Sequence, residues 1–435
     1  MTPGQLAIIA DDLSSCTDCG IQIARDGLQT YVVLDRQQDA AALAGYDVIA
    51  VDTDSRAASA DVAYRRVAEA AGFVQKTSRA FFKSLDSTLR GNLGAEVDAV
   101  MDVIGFDVAA VAPAFPLYGR TTVAGIHFLH GRRIDETEFA SDPQSPVKEA
   151  DLVPLFASQS RRSVALIELD VLREGSAAVG RRITDLQRDG VELVILDAQL
   201  EADLDVIVSA VVESGLRVLW VGSTGLAGHV SKTLQAGAGK QSSAQACGDA
   251  RKPILCVVGS ASEVTRGQAA ALLRQADVSL VRMDPFDVIQ AETSREREID
   301  RCRRQVWAEL RAGRDVVLDV VSSREAIAAV HEVGQRQGLD GLRVGATIVE
   351  SLAEITASVV ETASVGGLIL TGGDTARAVC DRLGAEGILI LREVEPGIPL
   401  ARMVGAHELP IVTKAGAFGT NDALVRAGRL LKGDG

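Results

Sequence analysis

Short runs of apolar and β-branched residues alternate with amphipathic segments along most of the 435-residue chain. Such alternation is typical of strands covered by crossover helices, so the sequence predicts an α/β fold with mainly parallel sheets. Segments such as DVAYRRVAEAAG and GSAAVGRRITDLQRDG have helical periodicity, and a glycine ends the second. Candidate strands in the first half are residues 6–10, 30–34, 47–51, 80–82, 108–112, 164–169, 193–197 and 218–222.

A change of composition divides the chain into two parts. Residues 235–252, QAGAGKQSSAQACGDARK, are small, polar and glycine-rich, which indicates a linker. We therefore expect two domains, residues 1–234 and residues 253–435, each a mainly parallel sheet with crossover helices. Candidate strands of the second domain are residues 254–259, 278–283, 315–320, 367–372, 388–394 and 408–414.

One stretch lacks this alternation. Residues 113–154 contain several prolines and the polar run GRRIDETEFASDPQSPVKEAD, but no long helical pattern. An ordered loop of this length inside a compact domain is usually functional, and a surface excursion is the alternative.

The balance of charge excludes some classes of partner. Lys and Arg number 45 and Asp and Glu number 59, which gives a formal net charge of −14. Such a surface repels phosphate backbones and anionic membranes, so we expect no nucleic-acid partner and no membrane partner. No apolar run reaches the about 18 residues that a membrane-spanning helix needs, and we expect a cytoplasmic protein.

The six cysteines are too few and too scattered for a disulfide framework. Cys16 and Cys19 form a CxxC motif, but no second pair would complete a zinc site. Two ordinary cysteines on a helix are the favoured interpretation, and a thiol redox pair is the alternative. His127 and His130 have HxxH spacing without a third ligand, so no metal ligand is assigned.

The first predicted strand ends directly at two carboxylates, Asp11 and Asp12. Ligands of open α/β sheets bind at the carboxyl ends of strands, so this pair marks a candidate site. Two carboxylates repel phosphate, but they suit hydrogen bonding to hydroxyl groups or activation of one of them. The alternative is that Asp12 only caps the following helix.

A second polar group follows the strand at residues 80–82, in the sequence KSLDSTLRGNLGAE. Two cations, a carboxylate and two hydroxyl groups there can hold a small hydroxylated anion. The long loop adds His127 and Arg120, whose guanidinium can bind a carboxylate through two hydrogen bonds. Solvated charges at a helix start are the alternative. The polar residues of the turn are Lys83, Asp86, Ser87, Thr88 and Arg90.

Three glycine-rich segments follow predicted strands of the second domain: GSASEVT (259–265), TGGDTA (371–376) and TKAGAFGTND (413–422). Each can direct backbone N–H groups and a helix N-terminus at phosphate. One such loop is often only a tight turn, but three in one domain favour a nucleotide site. Neither GxxxxGK[ST] nor a GxGxxG after the first strand occurs, which disfavours a P-loop ATPase and a standard NAD-dependent dehydrogenase.

Taken together, these segments resemble the four-carbon acid sugar kinases, two-domain enzymes with an N-terminal sugar-acid domain and a C-terminal ATP domain. One departure is that the family continues ADDL with Thr-Gly-Ala, where this chain has Ser14, Ser15 and Cys16. The resemblance covers nearly the whole chain and lies in IADDLSSCTD (9–18), KSLDSTLRGN (83–92), PAFPLYGRTT and GIHF (113–128), FASDPQSPV (139–147), GSTGL (222–226), GSASEVTRGQ (259–268), TGGDTA (371–376), EPGIPL (395–400) and TKAGAFG (413–419).

The resemblance implies an ATP-dependent kinase that uses Mg²⁺ and phosphorylates a terminal hydroxyl of threonate, erythronate or a 3-oxo-tetronate. It implies catalytic roles for Asp12, Asp86 and Arg90. It implies that the sugar acid is bound by Asp11, Lys83, Ser87, Arg120 and His127. It implies that the nucleotide is bound by Ser260, Ser262, Gly372, Gly373, Asp374, Thr375, Gly416, Ala417 and Gly419.

The sequence leaves some roles open. Either Asp12 or Asp86 receives the hydroxyl proton, and Arg90, Lys83 or Arg120 binds the carboxylate of the sugar acid. Two other classes are alternatives, a nicotinamide-dependent oxidoreductase of sugar acids and a non-catalytic sugar-acid sensor. The three phosphate-type loops favour the kinase, because a sensor has no need of a polyphosphate site. The sequence is compatible with a homo-oligomer but does not specify one.

Overall fold

The computed structural model of the chain describes residues 5–142, 144–233, 252–320, 324–416 and 418–433. The chain forms two compact units, Met1–Gln241 and Ser242–Gly435. The predicted linker, residues 235–252, lies outside the described residues except for its last position. Each unit is a mainly parallel sheet with helices, which confirms the predicted α/β class. Among the described residues, no helix combines the length and apolar character needed to span a bilayer.

The described residues of the first unit contain eleven strands: β1 Gln5–Ala10, β2 Thr30–Val33, β3 Val48–Asp52, β4 Ser78–Ser84, β5 Val108–Ala112, β6 Arg120–Val123, β7 Ile126–Leu129, β8 Arg132–Arg133, β9 Val164–Ile167, β10 Leu193–Leu196 and β11 Val218–Gly222. Eight of them form one parallel sheet in the spatial order β2-β3-β1-β4-β11-β5-β10-β9. Every residue of β1 and β3 is buried, as expected for central strands of a sheet covered on both faces.

Helices follow most of these strands. Asp12 and Ser223 cap α1 and α8 through their side chains, which accept the amides of Ser15 and Gly225. The helices of the first unit are α1 Leu13–Ala24, α2 Ala60–Val74, α3 Leu93–Ile104, α4 Leu152–Gln159, α5 Leu169–Arg173, α6 Ser176–Arg188, α7 Glu201–Ser214 and α8 Thr224–Ser231.

The predicted long loop, residues 113–154, contains a separate antiparallel sheet of β6, β7 and β8. Backbone bonds between Thr122 and Ala198 join this sheet to the segment after β10. Asp197 accepts the amides of Ala124 and Gly125 at 2.7 and 2.9 Å. The small sheet is therefore fixed at the same end of the parallel strands as the acid pair.

The described residues of the second unit contain seven strands: β12 Ile254–Val258, β13 Val278–Met283, β14 Asp315–Val320, β15 Gly367–Thr371, β16 Ala385–Glu395, β17 Ile398–Gly405 and β18 Pro410–Lys414. Their order is β13-β14-β12-β15-β18-β17-β16, and the first five are parallel. β17 is antiparallel to both of its neighbours. β17 was not among the strands predicted from the sequence, and it contains Pro399, a residue that is uncommon inside strands.

The helices of the second unit are α9 Glu263–Leu273, α10 Pro285–Gln290, α11 Glu292–Arg311, α12 Arg324–Arg336, α13 Gly341–Thr362, α14 Gly373–Arg382 and α15 Ala423–Leu431. A buried apolar cluster joins α9 and α15 to one face of the sheet, through residues such as Leu272, Ile369, Val412 and Leu424. This packing fixes the ends of β12, β15 and β18 beside one another.

Candidate functional site

The carboxyl ends of three neighbouring strands meet at one edge of the first sheet. β1 lies between β3 and β4. Asp11 and Asp12 follow β1, Arg56 follows β3, and Asp86 and Arg90 follow β4. Because all three strands are parallel, the structure brings these side chains to the same edge.

Arg56 contacts both members of the acid pair. Its Nε and Nη2 donate to the two carboxylate oxygens of Asp11 at 2.7 and 3.0 Å, and its Nη1 donates to Asp12. Nη2 also donates to Ser15 Oγ at 2.9 Å. Arg56 was not predicted from the sequence, although its place shortly after the predicted strand at 47–51 was a usable signal.

Asp12 has two roles in this arrangement. It caps α1, because its Oδ1 accepts the Ser15 amide at 2.6 Å, and its other oxygen binds Arg56. Burial raises the pKa of Asp12, Arg56 lowers it in part, and the charge of Asp11 adds to the rise. Both the capping role and the ligand role of Asp12 are thus compatible with the geometry.

Lys83 is paired with a buried glutamate. Its ammonium lies 2.8 Å from Glu96 Oε2 on α3 and donates to the Ser84 carbonyl at 2.5 Å. The Lys83 side chain is 0 % exposed and Glu96 is 1 % exposed. Ser55 Oγ donates to Glu96 Oε1 at 2.7 Å. Lys83 therefore supports the turn that bears Arg56, and its ammonium is already occupied.

Asp86 and Arg90 form a compact ion pair. Asp86 Oδ2 accepts Arg90 Nε at 2.7 Å, the Arg90 amide at 3.2 Å and Thr88 Oγ1 at 2.5 Å. Burial raises the pKa of Asp86, but Arg90 and Arg56 outweigh it, so the net shift is well below the ordinary value. We therefore expect Asp86 to be ionised at neutral pH.

Residues 138–142 and 144–147 lie beside Arg90 and the turn that follows it. The Arg90 guanidinium lies 5.3 Å from the Phe139 ring centroid and 3.3 Å from Asp142. Ser145 Oγ accepts the Gly91 amide at 2.7 Å. Gly91 has φ +100, and a Cβ there would lie 3.4 Å from Asp11. The polar run of the long loop thus closes one side of the acid-and-arginine cluster.

Arg120 is the arginine of this edge with a spare buried donor. Its Nη1 donates to the Tyr118 carbonyl at 2.7 Å, whereas its buried Nε has no acceptor among the described residues. Burial lowers the pKa of Arg120, and the nearby charge of Asp86 opposes this shift. A buried donor without an acceptor is unfavourable, so the geometry suits an incoming anion.

His127 is buried with both ring nitrogens engaged. Burial lowers its pKa to about 4, so the ring is neutral at physiological pH. Nε2 lies 3.0 Å from the Ser87 carbonyl, which can only accept, so Nδ1 accepts from Thr122 Oγ1 at 3.0 Å. His127 therefore positions the 87–90 turn, and the half-buried Ser87 lies on that turn beside Asp86.

The two cysteines of the CxxC motif are buried free thiols on α1. Burial raises the pKa of Cys19 to about 12 and that of Cys16 well above its ordinary value. Thiols that stay protonated react poorly, so the structure favours ordinary helix cysteines over a redox pair.

In the second unit, three glycine-bearing loops lie side by side at the ends of β12, β15 and β18. The Gly259 amide donates to the Thr371 carbonyl at 3.3 Å, and the Gly372 amide donates to the Lys414 carbonyl at 2.9 Å. A Cβ at Gly259 would lie 1.9 Å from Thr375 Oγ1. The loops therefore pack so closely that a side chain is excluded at this position.

The first turn of α14 points its amides to this edge. Its N-cap is Gly372, at φ +95, so no side chain caps the helix. Gly373 and Asp374 begin the helix, Asp374 is exposed and Thr375 is buried. Uncapped amides and the helix dipole form a site for an anion such as phosphate.

Ser260 and Gly416 face each other across two of these loops. A Cβ at Gly416 would lie 2.3 Å from Ser260 Oγ, which also accepts the Ser262 amide at 3.3 Å. Gly419 has φ +86, a conformation that favours glycine. Ala417, also predicted to bind nucleotide, lies outside the described residues.

Lys414 is buried below the third loop. Its ammonium donates to the carbonyls of Ala415, Gly416 and Phe418 at 2.8, 2.9 and 3.0 Å. Gln268 Nε2 donates to the Phe418 carbonyl at 3.0 Å. Lys414 thus shapes the loop from beneath, a role that the sequence alone did not indicate.

Comparison with known proteins matches both units. A family model described as a sugar-binding N-terminal domain matches residues 6–230, and one described as a nucleotide-binding C-terminal domain matches residues 255–424. A D-erythronate kinase of Heliobacterium modesticaldum is 34% identical over 429 residues, covering 96% of this chain and 95% of that protein. A D-threonate kinase of Salmonella typhimurium is 35% identical over 428 residues, covering 97% of each.

The fold is also found among solved structures. A Haemophilus influenzae protein has a TM-score of 0.75 and 22% identity, and the match covers 98% of this chain and 100% of that protein. At this identity the likeness concerns the fold alone.

Proposed function

Since this chain belongs to the four-carbon acid sugar kinase family, we propose that it transfers the γ-phosphoryl group of ATP to a terminal hydroxyl of a four-carbon sugar acid. The acceptor is a tetronate such as threonate, erythronate or a 3-oxo-tetronate. The observation that carries the proposal is end-to-end similarity, at 34% and 35% identity, to kinases of erythronate and threonate. The charged edge of the first unit suits a sugar acid and the glycine loops of the second unit suit a nucleotide, which supports the same proposal.

The acceptor site uses the arginines of the first unit. Arg120 binds the carboxylate of the tetronate, because its buried Nε needs an acceptor and Lys83 is already paired with Glu96. Arg90, which is paired with Asp86, adds a second positive charge for this carboxylate. The hydroxyl groups of the substrate hydrogen-bond to Asp11, Asp12 and Ser87, and His127 holds the turn that presents Ser87.

Asp12 is the better candidate for the base. A general base works best when its pKa lies near the working pH. Burial raises the pKa of Asp12, whereas Arg90 and Arg56 hold that of Asp86 far below neutrality. In the transfer, the substrate oxygen forms a bond to the γ-phosphorus and the bond to the leaving oxygen of ADP breaks. The hydroxyl proton passes to Asp12 and then to solvent.

The nucleotide lies on the glycine loops of the second unit. The uncapped amides of α14 and the loops at Ser260, Ser262 and Gly416 donate to phosphate oxygens. Phosphoryl transfer depends mainly on such positioning and on charge neutralisation. The buried Lys414 fixes the shape of the third loop.

Mg²⁺ fits this arrangement as a partner of the phosphates. No cluster of three or more His, Cys, Asp or Glu side chains suited to a metal occurs among the residues that the structure describes. Mg²⁺ is commonly held by one or two carboxylates together with substrate phosphates and water. The exposed Asp374 in the first turn of α14 is the carboxylate in place for this role. When bound, the ion neutralises charge on the transferred group.

A coupled assay of ADP release over a panel of four-carbon sugar acids tests the proposal. We expect turnover with at least one tetronate, and none with the same acid when ATP is omitted. Asp12→Asn should lower kcat by about a hundredfold or more, as loss of a general base does. Asp86→Asn should mainly raise KM, because it frees Arg90 from its ion pair. Absence of ADP release with every acid would refute the proposed function.

A further inference from the structure

Arg56 occupies an unusual position between two carboxylates. Three of its nitrogens bind the acid pair, two to Asp11 and one to Asp12. The Asp11 side chain is 2 % exposed and the Arg56 side chain 15 % exposed, so water screens these charges little. The planar fork of arginine matches this bidentate contact, and a lysine ammonium cannot reproduce it.

A buried network fixes the backbone from which Arg56 extends. The amides of Ser55 and Arg56 both donate to the Asp11 carbonyl, at 2.9 and 3.3 Å. Ser55 Oγ donates to Glu96, which is paired with the buried Lys83. The position of Arg56 is therefore set by contacts from β1, β4 and α3, and is not that of a solvated side chain.

Lys83 and Arg90 are paired with other carboxylates, so Arg56 is the counter-ion of the acid pair. Lys83 is paired with Glu96, and Arg90 is paired with Asp86 and Asp142. The titratable or charged groups that face this centre are Asp11 at the end of β1, Cys16 on α1, Asp52 and Arg56 at the end of β3, Asp86 and Arg90 after β4, and Glu96 on α3.

We propose that Arg56 is a positioning residue of the phosphoryl-transfer site, which orients the carboxylates of Asp11 and Asp12 and keeps Asp12 ionised to accept the hydroxyl proton. This inference rests on the proposed function. In this role Arg56 supplies one positive charge to both carboxylates of the acid pair, next to an incoming phosphoryl group. Without Arg56, desolvation and the neighbouring Asp11 charge would both favour a protonated Asp12.

Two variants and one control test the role. Arg56→Met removes the charge, and Arg56→Lys keeps the charge but loses the fork. The matched control is Arg66→Gln, since Arg66 forms an exposed pair at 2.9 Å with Asp54, which follows β3 two residues before Arg56. For each variant, kcat and KM for the best tetronate are measured from pH 5 to pH 9, together with circular dichroism and thermal unfolding.

For Arg56→Met we expect kcat to fall at least tenfold on the acid limb of the pH profile and to recover as pH rises. The reason is that loss of a neighbouring cation raises a carboxyl pKa by about 1–3 units, so the acid limb of the profile moves upward by about one unit or more. Arg56→Lys should keep the acid limb near that of the parent and still lower kcat at every pH. Arg66→Gln should have the profile of the parent.

In Arg56→Met, a purely structural role would instead lower activity equally at all pH values and leave the acid limb in place, and that outcome overturns the proposal. If Arg56→Met does not fold, Arg56→Lys provides the test. A kcat of Arg56→Lys equal to that of the parent would also overturn the proposal. An inactive parent enzyme would count against the proposed function. An active parent with unchanged Arg56 variants would count against this inference alone.

Discussion

The buried ion pair between Lys83 and Glu96 gives the sharpest test of how the first unit is built. The Lys83 ammonium lies 2.8 Å from Glu96 Oε2, and the two side chains are 0 % and 1 % exposed, respectively. Substitution Lys83→Met keeps the length and apolar stem of the side chain but removes its charge. Glu96 then stays buried beside Asp11 without its cation, and keeps only the hydrogen bond from Ser55.

Removing one partner of a buried pair costs about 3–5 kcal/mol, because the remaining charge is desolvated and uncompensated. Burial already raises the pKa of Glu96, and loss of Lys83 should raise it further. The folded state then binds more protons than the unfolded state above the ordinary glutamate value of about 4.3. The stability of Lys83→Met should therefore be nearest to that of the parent at low pH and fall as pH rises towards neutrality.

Fluorescence of Trp220 is a suitable probe of this unit. Trp220 lies on β11 opposite Phe82 of β4, one residue from Lys83. The chain has two tryptophans, so a Trp307→Phe background leaves Trp220 as the reporter. Urea unfolding is measured from pH 5 to pH 8.5. In the double variant Lys83→Met/Glu96→Gln, which has no buried charge at the pair, the dependence on pH should disappear and part of the lost stability should return.

If the free energy of unfolding of Lys83→Met lies within about 1 kcal/mol of that of the parent at every pH, the predicted unpaired charge on Glu96 is refuted. A buried carboxylate without its cation destabilises the folded state by more than that. A raised KM with unchanged stability would show instead that Lys83 binds the sugar acid directly. That result would restore the role that the sequence resemblance implies for this residue.

Three further predictions follow from the same geometry. Because His127 has a pKa of about 4 in the folded state against about 6.5 when unfolded, the protein should lose about 3 kcal/mol of stability as pH falls from 6.5 to 4, and His127→Asn should remove this loss in urea unfolding. Gly259→Ala would bring a Cβ to 1.9 Å from Thr375 Oγ1, so calorimetry should show ADP binding at least tenfold weaker and sugar-acid binding unchanged. Ser145→Ala removes the acceptor of the Gly91 amide and should raise KM for the tetronate by about three- to tenfold in steady-state assays, with parental KM for ATP.

Strands buried on both faces were the most predictable part of the fold. The strands at 108–112, 218–222 and 315–320 have the predicted bounds, because mainly apolar runs of this length leave few alternatives. The strand at 278–283 also has the predicted bounds, although it lies at the end of the strand order and is partly exposed. β6, β7 and β8 were not predicted, since they are only two to four residues long and contain polar side chains. The sequence of β17 did not indicate a strand, since it contains Pro399. The sheet accommodates this proline where the register of β16 and β17 is irregular.

Site residues were predictable where they follow a strand. Asp11, Asp12, Asp86 and Arg90 lie at neighbouring strand ends, a placement that parallel strands impose. The partner of a strand side chain depends on tertiary packing, so the pairing of Lys83 with Glu96 on α3 could not be read from the sequence. Arg56 escaped detection because its partners lie 44 and 45 residues earlier in the chain.

The overall acidity of the chain and the charge of its site are separate quantities. A net charge of −14 repels anions at long range, yet a tetronate and the γ-phosphate of ATP are both anions. At the edge of the first sheet, Asp11, Asp12 and Asp86 are matched in number by Arg56, Arg90 and Arg120. Salt and water screen distant surface charges much more than partly buried pairs, so we expect these three arginines to determine which anions bind. Removing Arg56 would therefore affect the site more than removing any one of the exposed arginines, which is why a surface pair is the right control for it.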